Sequence, residues 1–342
     1  MVESLETPAT SELLNSLSIR DPKNPFYTRA YAKYREATGF EAWVVGCAGD
    51  EGSIDACPAF LRVGWRASEL ELPSLPVLSR AELFWAGVQN LCRKLYVSKL
   101  WIQSFSSVEA AIPPLGEELK RTRRWEFVWP LQDTQSLTSM RKGHAYSVKQ
   151  ALKNGVVVRR SFDPNAAVDH ARLMGAAMER RRDRGENVGV VADASPLRKI
   201  IESGAGCFYQ AFVDESVVAS NLILLANSGA YNHSQGIDAR GREVGAAHFL
   251  LVEIAAALRE QGIQTLNLGG TEAVESGLSR FKSGFSASIS RIDLEAAEFR
   301  FSRGPLRTLF AIGKRLHRMA PWKPAHRLAT EASDVTGFQL PN

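Results

Sequence analysis

The 342-residue chain has little of what ties a sequence to a membrane, to secretion or to a metal. No stretch stays apolar for the roughly 20 residues that a bilayer-crossing helix needs. The first eighteen residues carry Glu3, Glu6 and Glu12 with no basic start ahead of an apolar run, so a secretory leader is not expected. Cysteine is scarce: Cys47, Cys57, Cys92 and Cys207 are scattered, with no CxxC pair and no closely placed histidine. That spacing excludes a zinc site and a disulfide framework, predicts no bound metal, and fits a reducing cytoplasm. Excess charge is also missing from the body of the chain. The net +5 is carried by residues 301–342, with seven Lys/Arg against two Asp/Glu, while the first 300 residues hold 35 of each sign. Long-range attraction of polyanions by the body is therefore weak.

What is present reads as an ordinary globular protein, 45% hydrophobic and 23% charged. The length exceeds what one hydrophobic core usually fills, so two packed units are expected. In the first, Asn24-Pro25 opens a helix near residues 25–38 through Phe26, Tyr27, Tyr31 and Tyr34. Segments 41–47 and 54–63, on either side of a Gly-rich turn, predict a β-hairpin. Ser79 and Glu82 form a capping box before Leu83, Phe84, Val88 and Leu91, and residues 100–105 return as a strand.

From Trp125 a similar series begins: a strand over 125–131, a helix over 137–153 stopped by Asn154-Gly155, and a strand over 156–160. Asp163-Pro164 starts a helix reaching Arg184, and Ser195-Pro196 a shorter one. Strands over 207–213, 217–225 and 230–236 follow with short turns, which makes them antiparallel neighbours. A loop at 238–245, an apolar helix over 247–261 and a strand over 264–268 complete the order. The division expected is 1–124, 125–300 and a basic tail, 301–342.

The loop before the long helix contains Arg242, Gly245 and Ala247, an RxxGxA pattern that lets backbone N–H groups at a helix start approach a phosphate. Downstream, Leu268-Gly269-Gly270-Thr271 is followed by Gly277-Leu278-Ser279-Arg280-Phe281-Lys282-Ser283-Gly284-Phe285. The pair LGGT and GLxRFKxGF resembles the C-terminal part of the Fem-type aminoacyltransferases and a related acetyltransferase domain, within the GNAT superfamily. The resemblance implies an α/β (α+β) fold of two fused GNAT-like modules, each a mixed, mostly antiparallel sheet flanked by helices, the first degenerate. It implies an amide-forming acyltransferase in which Lys282 faces the transfer centre. A partly desolvated ammonium there stabilises the oxyanion of a tetrahedral intermediate.

Arg242, Gly245 and Ala247 are then the donor's phosphate cradle, Asn232, Arg280 and Phe281 substrate contacts, and His233 a candidate general base. No tightly bound cofactor is implied. The co-substrate is acyl-CoA, which RxxGxA favours, or aminoacyl-tRNA, which GLxRFKxGF and the basic runs 120–124 and 180–184 favour. The acceptor is a small-molecule or peptidyl amine. An amphipathic basic stretch over 304–320 suits peripheral contact with an anionic membrane. The alternative reading is an inactive tandem-GNAT module that binds tRNA, a nucleotide sugar or a membrane-associated partner.

Overall fold

The structure is a computed structural model and describes residues 4–48, 54–64, 67–106, 111–132, 139–185, 188–189, 193–271 and 276–301. The expected membrane-contacting stretch, 304–320, lies outside them. Strand β1 (Ser4–Pro8) and helix α1 (Ser11–Arg20) precede a 3-10 turn, Pro25–Tyr27, and α2 (Arg29–Ala37). The single helix expected over 25–38 is thus divided. Asn24 caps the turn by accepting from the Phe26 N–H at 3.1 Å, and Thr28 caps α2 by accepting from the Tyr31 N–H at 3.1 Å. Next come β2 (Glu41–Ala48), β3 (Ile54–Val63), β4 (Ser68–Leu72), α3 (Ala81–Lys94) and β5 (Lys99–Gln103). The capping box at Ser79 does not form. Asp55 takes the Ser79 N–H at 2.6 Å, the Ser79 hydroxyl at 2.9 Å and the Arg80 N–H at 3.0 Å, so a distant carboxylate holds the start of α3.

Strand β6 (Glu117–Pro130) begins eight residues before the expected Trp125 and carries the basic run within a ladder. It is followed by α4 (Lys142–Lys153), β7 (Val157–Ser161), α5 (Ala166–Asp183) and α6 (Ser195–Glu202). The antiparallel meander is β8 (Gly206–Val213), β9 (Ser216–Leu225) and β10 (Gly229–Ile237). The expected loop then contains a helical turn, α7 (Ala239–Glu243), because Asp238 accepts from the Gly241 N–H at 2.8 Å. Helix α8 (Ala246–Glu260), β11 (Thr265–Thr271), α9 (Gly277–Ser283) and β12 (Ser290–Arg300) complete the order.

The described strands form one mixed sheet in the order β1-β2-β3-β4-β5-β12-β6-β11-β10-β9-β8-β7. Most neighbours are antiparallel; β4 with β5 and β10 with β11 are parallel. Residue 124, where the first division was expected, falls inside β6, which pairs with β12 along one edge and with β11 along the other. Among the described residues, two apolar clusters form the core. One gathers Phe60, Leu70, Leu72, Phe84, Leu100 and Ile102; the other gathers Trp129, Leu250, Ile254, Leu258, Leu266 and Phe285. Strand alternation feeds both: along β9, Leu222 and Leu224 enter the first cluster and Ile223 the second.

Candidate active site

Strands β10 and β11 are paired at Gly229–Tyr231 against Thr265–Asn267, and β10 pairs no further along β11. Both strands are irregular there. The ladder of β10 on β9 shifts between Asn232 and Ser234, leaving His233 as the extra residue, and the ladder of β11 on β6 shifts between Asn267 and Gly270. Bulges bend a strand and weaken its pairing. Gly269 lies within the second shift at φ +78°, a conformation that disfavours a side chain, and a Cβ there would stand 3.6 Å from the Lys282 ammonium nitrogen. Where the two strands part, a cleft of about 730 Å³ opens.

One wall is the start of α8. Gly245 caps this helix at φ +75° and comes so close to α4 that a Cβ would lie 2.4 Å from the Ser147 carbonyl. An α-helix leaves its first backbone N–H groups without internal acceptors, and these groups carry the positive end of its dipole. Arg242, Gly245 and Ala247 all line the cleft at this helix start, with His248 one residue further on. The facing part is formed by α9. Leu278, Phe281 and Lys282 share one helical side toward the cleft, whereas Arg280 is exposed and is not a lining residue. Asn232 and His233 line the cleft from β10, and Met178, Arg180 and Arg181 from α5.

Lys282 is 8% exposed and donates to the Gly270 carbonyl at 2.9 Å. Burial lowers its pKa from 10.5 to about 8, against the raising effect of Glu126. It remains an ammonium at neutral pH. Glu126 is fully buried, opposite Gly270 in the ladder, and accepts from Arg124 at 2.6 Å and from Asn267 at 2.7 Å. Burial raises its pKa, and Arg124, the Asn267 bond and Lys282 oppose that rise. The amide oxygen of Asn267 accepts from the Gly269 N–H at 2.8 Å and so fixes the bulge. Arg124 is a cleft residue supported from below by the Glu126 carboxylate.

His233 is open to the cleft, yet the protein around it removes enough water to lower its pKa to about 4. It is neutral at physiological pH. Its neighbour Ser234 shares a 2.8 Å hydrogen bond with fully buried His170, which also contacts the Ser220 hydroxyl at 2.9 Å. Asn232 accepts from Asn221 at 3.0 Å.

Sequence reading missed Glu126, Asn267 and His248, and had Arg124 only as one member of the basic run 120–124. A signal existed for the first: an acid inside the run Glu126-Phe127-Val128-Trp129 is out of place on a buried strand unless it has partners. Asn267 and His248 carry no sequence signal of that kind.

A model of the acetyltransferase (GNAT) domain matches residues 138–283, the stretch that holds α4 to α9 and the cleft's helix start and lysine. This chain has a Fem-type GNAT fold. The solved structure of FemX superposes with a TM-score of 0.62 over 90% of this chain and 99% of that one, at 13% identity. L-PGS from Bacillus licheniformis gives 0.53 over 91% and 98%, also at 13% identity. A tandem GNAT protein from the clavulanic acid biosynthesis pathway gives 0.51 over 89% and 100%, at 11% identity. No curated protein matches the sequence. The domain match supports an acyltransferase, and the solved structures share its fold.

Proposed function

We propose that the chain is an N-acyltransferase that moves an acyl or aminoacyl group from a phosphate-bearing carrier, acyl-CoA or aminoacyl-tRNA, to an amine. The reading is carried by one juxtaposition: a buried ammonium at Lys282 and the open start of α8 with Arg242 share a cleft. Carrier phosphate is held by Arg242 and the backbone N–H groups beside Gly245 and Ala247. The amine attacks the acyl carbonyl, a C–N bond forms, and the carbon–carrier bond breaks after a tetrahedral intermediate. Lys282 stabilises the negative oxygen of that intermediate in a site where water competes poorly. Its bond to Gly270 keeps the ammonium aimed before the substrate arrives.

The nucleophile must be the free amine, and its proton leaves to water or the departing carrier. His233 has a pKa of about 4 and is a weak base at pH 7, so its part is to accept a hydrogen bond from the amine and orient it. Asn232 and Phe281 shape the pocket around the reacting carbonyl. Purified protein would be incubated with radiolabelled acetyl-CoA and, separately, with a charged tRNA pool, each against a panel of amines. Amine-dependent release of CoA identifies one carrier and RNase-sensitive transfer the other. Transfer by neither overturns the proposal, and a Lys282→Met variant as active as the parent overturns the role given to Lys282 in it.

A further inference from the structure

Helix α9 has seven residues, far fewer than the ~12–15 at which an isolated helix begins to hold itself in water. Its geometry must come from outside. On one side Lys282 ties it to β11 through Gly270. On the other stands His144 of α4, buried at 8% exposure, whose Nε2 lies 2.8 Å from the Phe281 carbonyl oxygen. A carbonyl only accepts, so Nε2 carries the proton and donates. The bond grips the peptide unit that joins Phe281 to Lys282. The start of α4 adds a second tie, since the Arg141 N–H donates to the Gly284 carbonyl at 2.9 Å.

The histidine ring also explains a glycine of the motif. A Cβ on Gly284 would stand 2.5 Å from His144 Cε1 and Nε2, closer than packed atoms approach. Glycine at 284 therefore leaves the space that the ring fills. The ring is further bounded by His248 at 4.6 Å and Phe285 at 4.8 Å between centroids. Burial lowers the pKa of His144, which favours the neutral ring with its proton on Nε2.

We infer that His144 is a positioning residue for Lys282, holding the turn of α9 that carries the ammonium through the Phe281 carbonyl and the gap left by Gly284. The inference rests on the acyl-transfer reading for its kinetic consequence, but its structural core is testable without activity. Three variants separate the parts: His144→Leu removes the donor, His144→Gln keeps an N–H donor near the place of Nε2, and Gly284→Ala displaces the ring. In the first arm the folded proteins are treated with an amine-reactive ester, and modification of Lys282 is followed by peptide mass spectrometry. His144→Leu and Gly284→Ala should label Lys282 several-fold faster than the parent, with His144→Gln close to the parent.

In the second arm turnover is measured with the donor found above. His144→Leu and Gly284→Ala should lower kcat about tenfold to a hundredfold, as misplacement by about 1 Å does, with KM for the donor within about twofold. The Gln variant should recover most of kcat, and the Leu/Ala double variant should be little worse than either single one, because both act on one contact. Unchanged labelling of Lys282 in both disruptive variants overturns the inference. So does a Gln variant that behaves like Leu, or a loss of kcat that tracks loss of folded protein in thermal melts. If Lys282→Met turns over normally while labelling responds as expected, the acyl-transfer role of Lys282 falls and the structural grip of His144 stands.

Discussion

The two ends of the stretch β3-β4-β5-β12-β6-β11-β10 within the sheet differ in the charge and polarity they bury. Around β3, β4 and β5 the interior is mainly apolar, with Phe60, Leu70, Leu72, Leu100 and Ile102 at 0% exposure; Asp55 is buried there against three donors, and charges such as Arg62 and Glu69 meet near the surface. Around β6, β10 and β11 the buried set includes Glu126, Asn267, Asn232 and Lys282. Burying charge costs stability unless partners replace water. The first end is therefore built for stability. The second gives up some of it to hold an ammonium, and its carboxylate, amide and carbonyl partners are what make that tolerable.

The strongest way to break this contrast is to damage each end and ask which property fails. Phe84→Ala, in the apolar cluster of the first end, should cost about 3–5 kcal/mol of stability in chemical denaturation. Turnover per folded molecule should be unchanged, and a fall would mean that the ends are coupled. Lys282→Met should do the reverse and lower kcat by about 10²–10³ with little loss of stability, measured by steady-state kinetics beside thermal melts.

A pH series sharpens the second half. The Lys282 pKa is lowered to about 8, so the ammonium, and with it kcat, should be lost as pH rises through about 8. The stability consequence has the opposite sign. Between about 8 and the unfolded value of 10.5 the unfolded chain binds the proton that the folded chain has released. The parent should therefore gain stability relative to Lys282→Met over that window. Glu126→Gln keeps the shape but removes the charge that raises the Lys282 pKa, so the alkaline limb of the rate profile should move to lower pH.

Gly245→Ala should raise KM for the donor about tenfold with a smaller effect on kcat, since both a left-handed φ and the Ser147 carbonyl oppose a side chain there. Arg62→Ala should change stability by about 1 kcal/mol or less, because an exposed pair is weakly stabilising. A larger change would show that the first end depends on its charges as strongly as the second does.

Several parts of the site were legible because local chemistry writes them into the chain. The meander follows from short turns between apolar runs, and the helix start follows from Arg242, Gly245 and Ala247. Arg280 shows the limit, because a motif names adjacent letters while a helix turns alternate ones away from the cleft. Strand β12 went unread: Leu294-Glu295-Ala296-Ala297-Glu298 has a helical composition, and it is extended because β5 and β6 pair with both of its edges. The Ser79 cap was displaced for a similar reason, as Asp55 reaches it from 24 residues away.

By itself the sequence determined the elements around the cleft, the helix start with its small residues, and the lysine between two aromatics. Those depend on spacing within a few residues, which sterics and hydrogen bonding decide locally. Tertiary structure decided that β10 and β11 part at two bulges, that Glu126 lies near Lys282, and that the His144 ring fills the space over Gly284. Each of these joins residues far apart in the chain, and the electrostatic energy of a buried charge is set by what surrounds it in space.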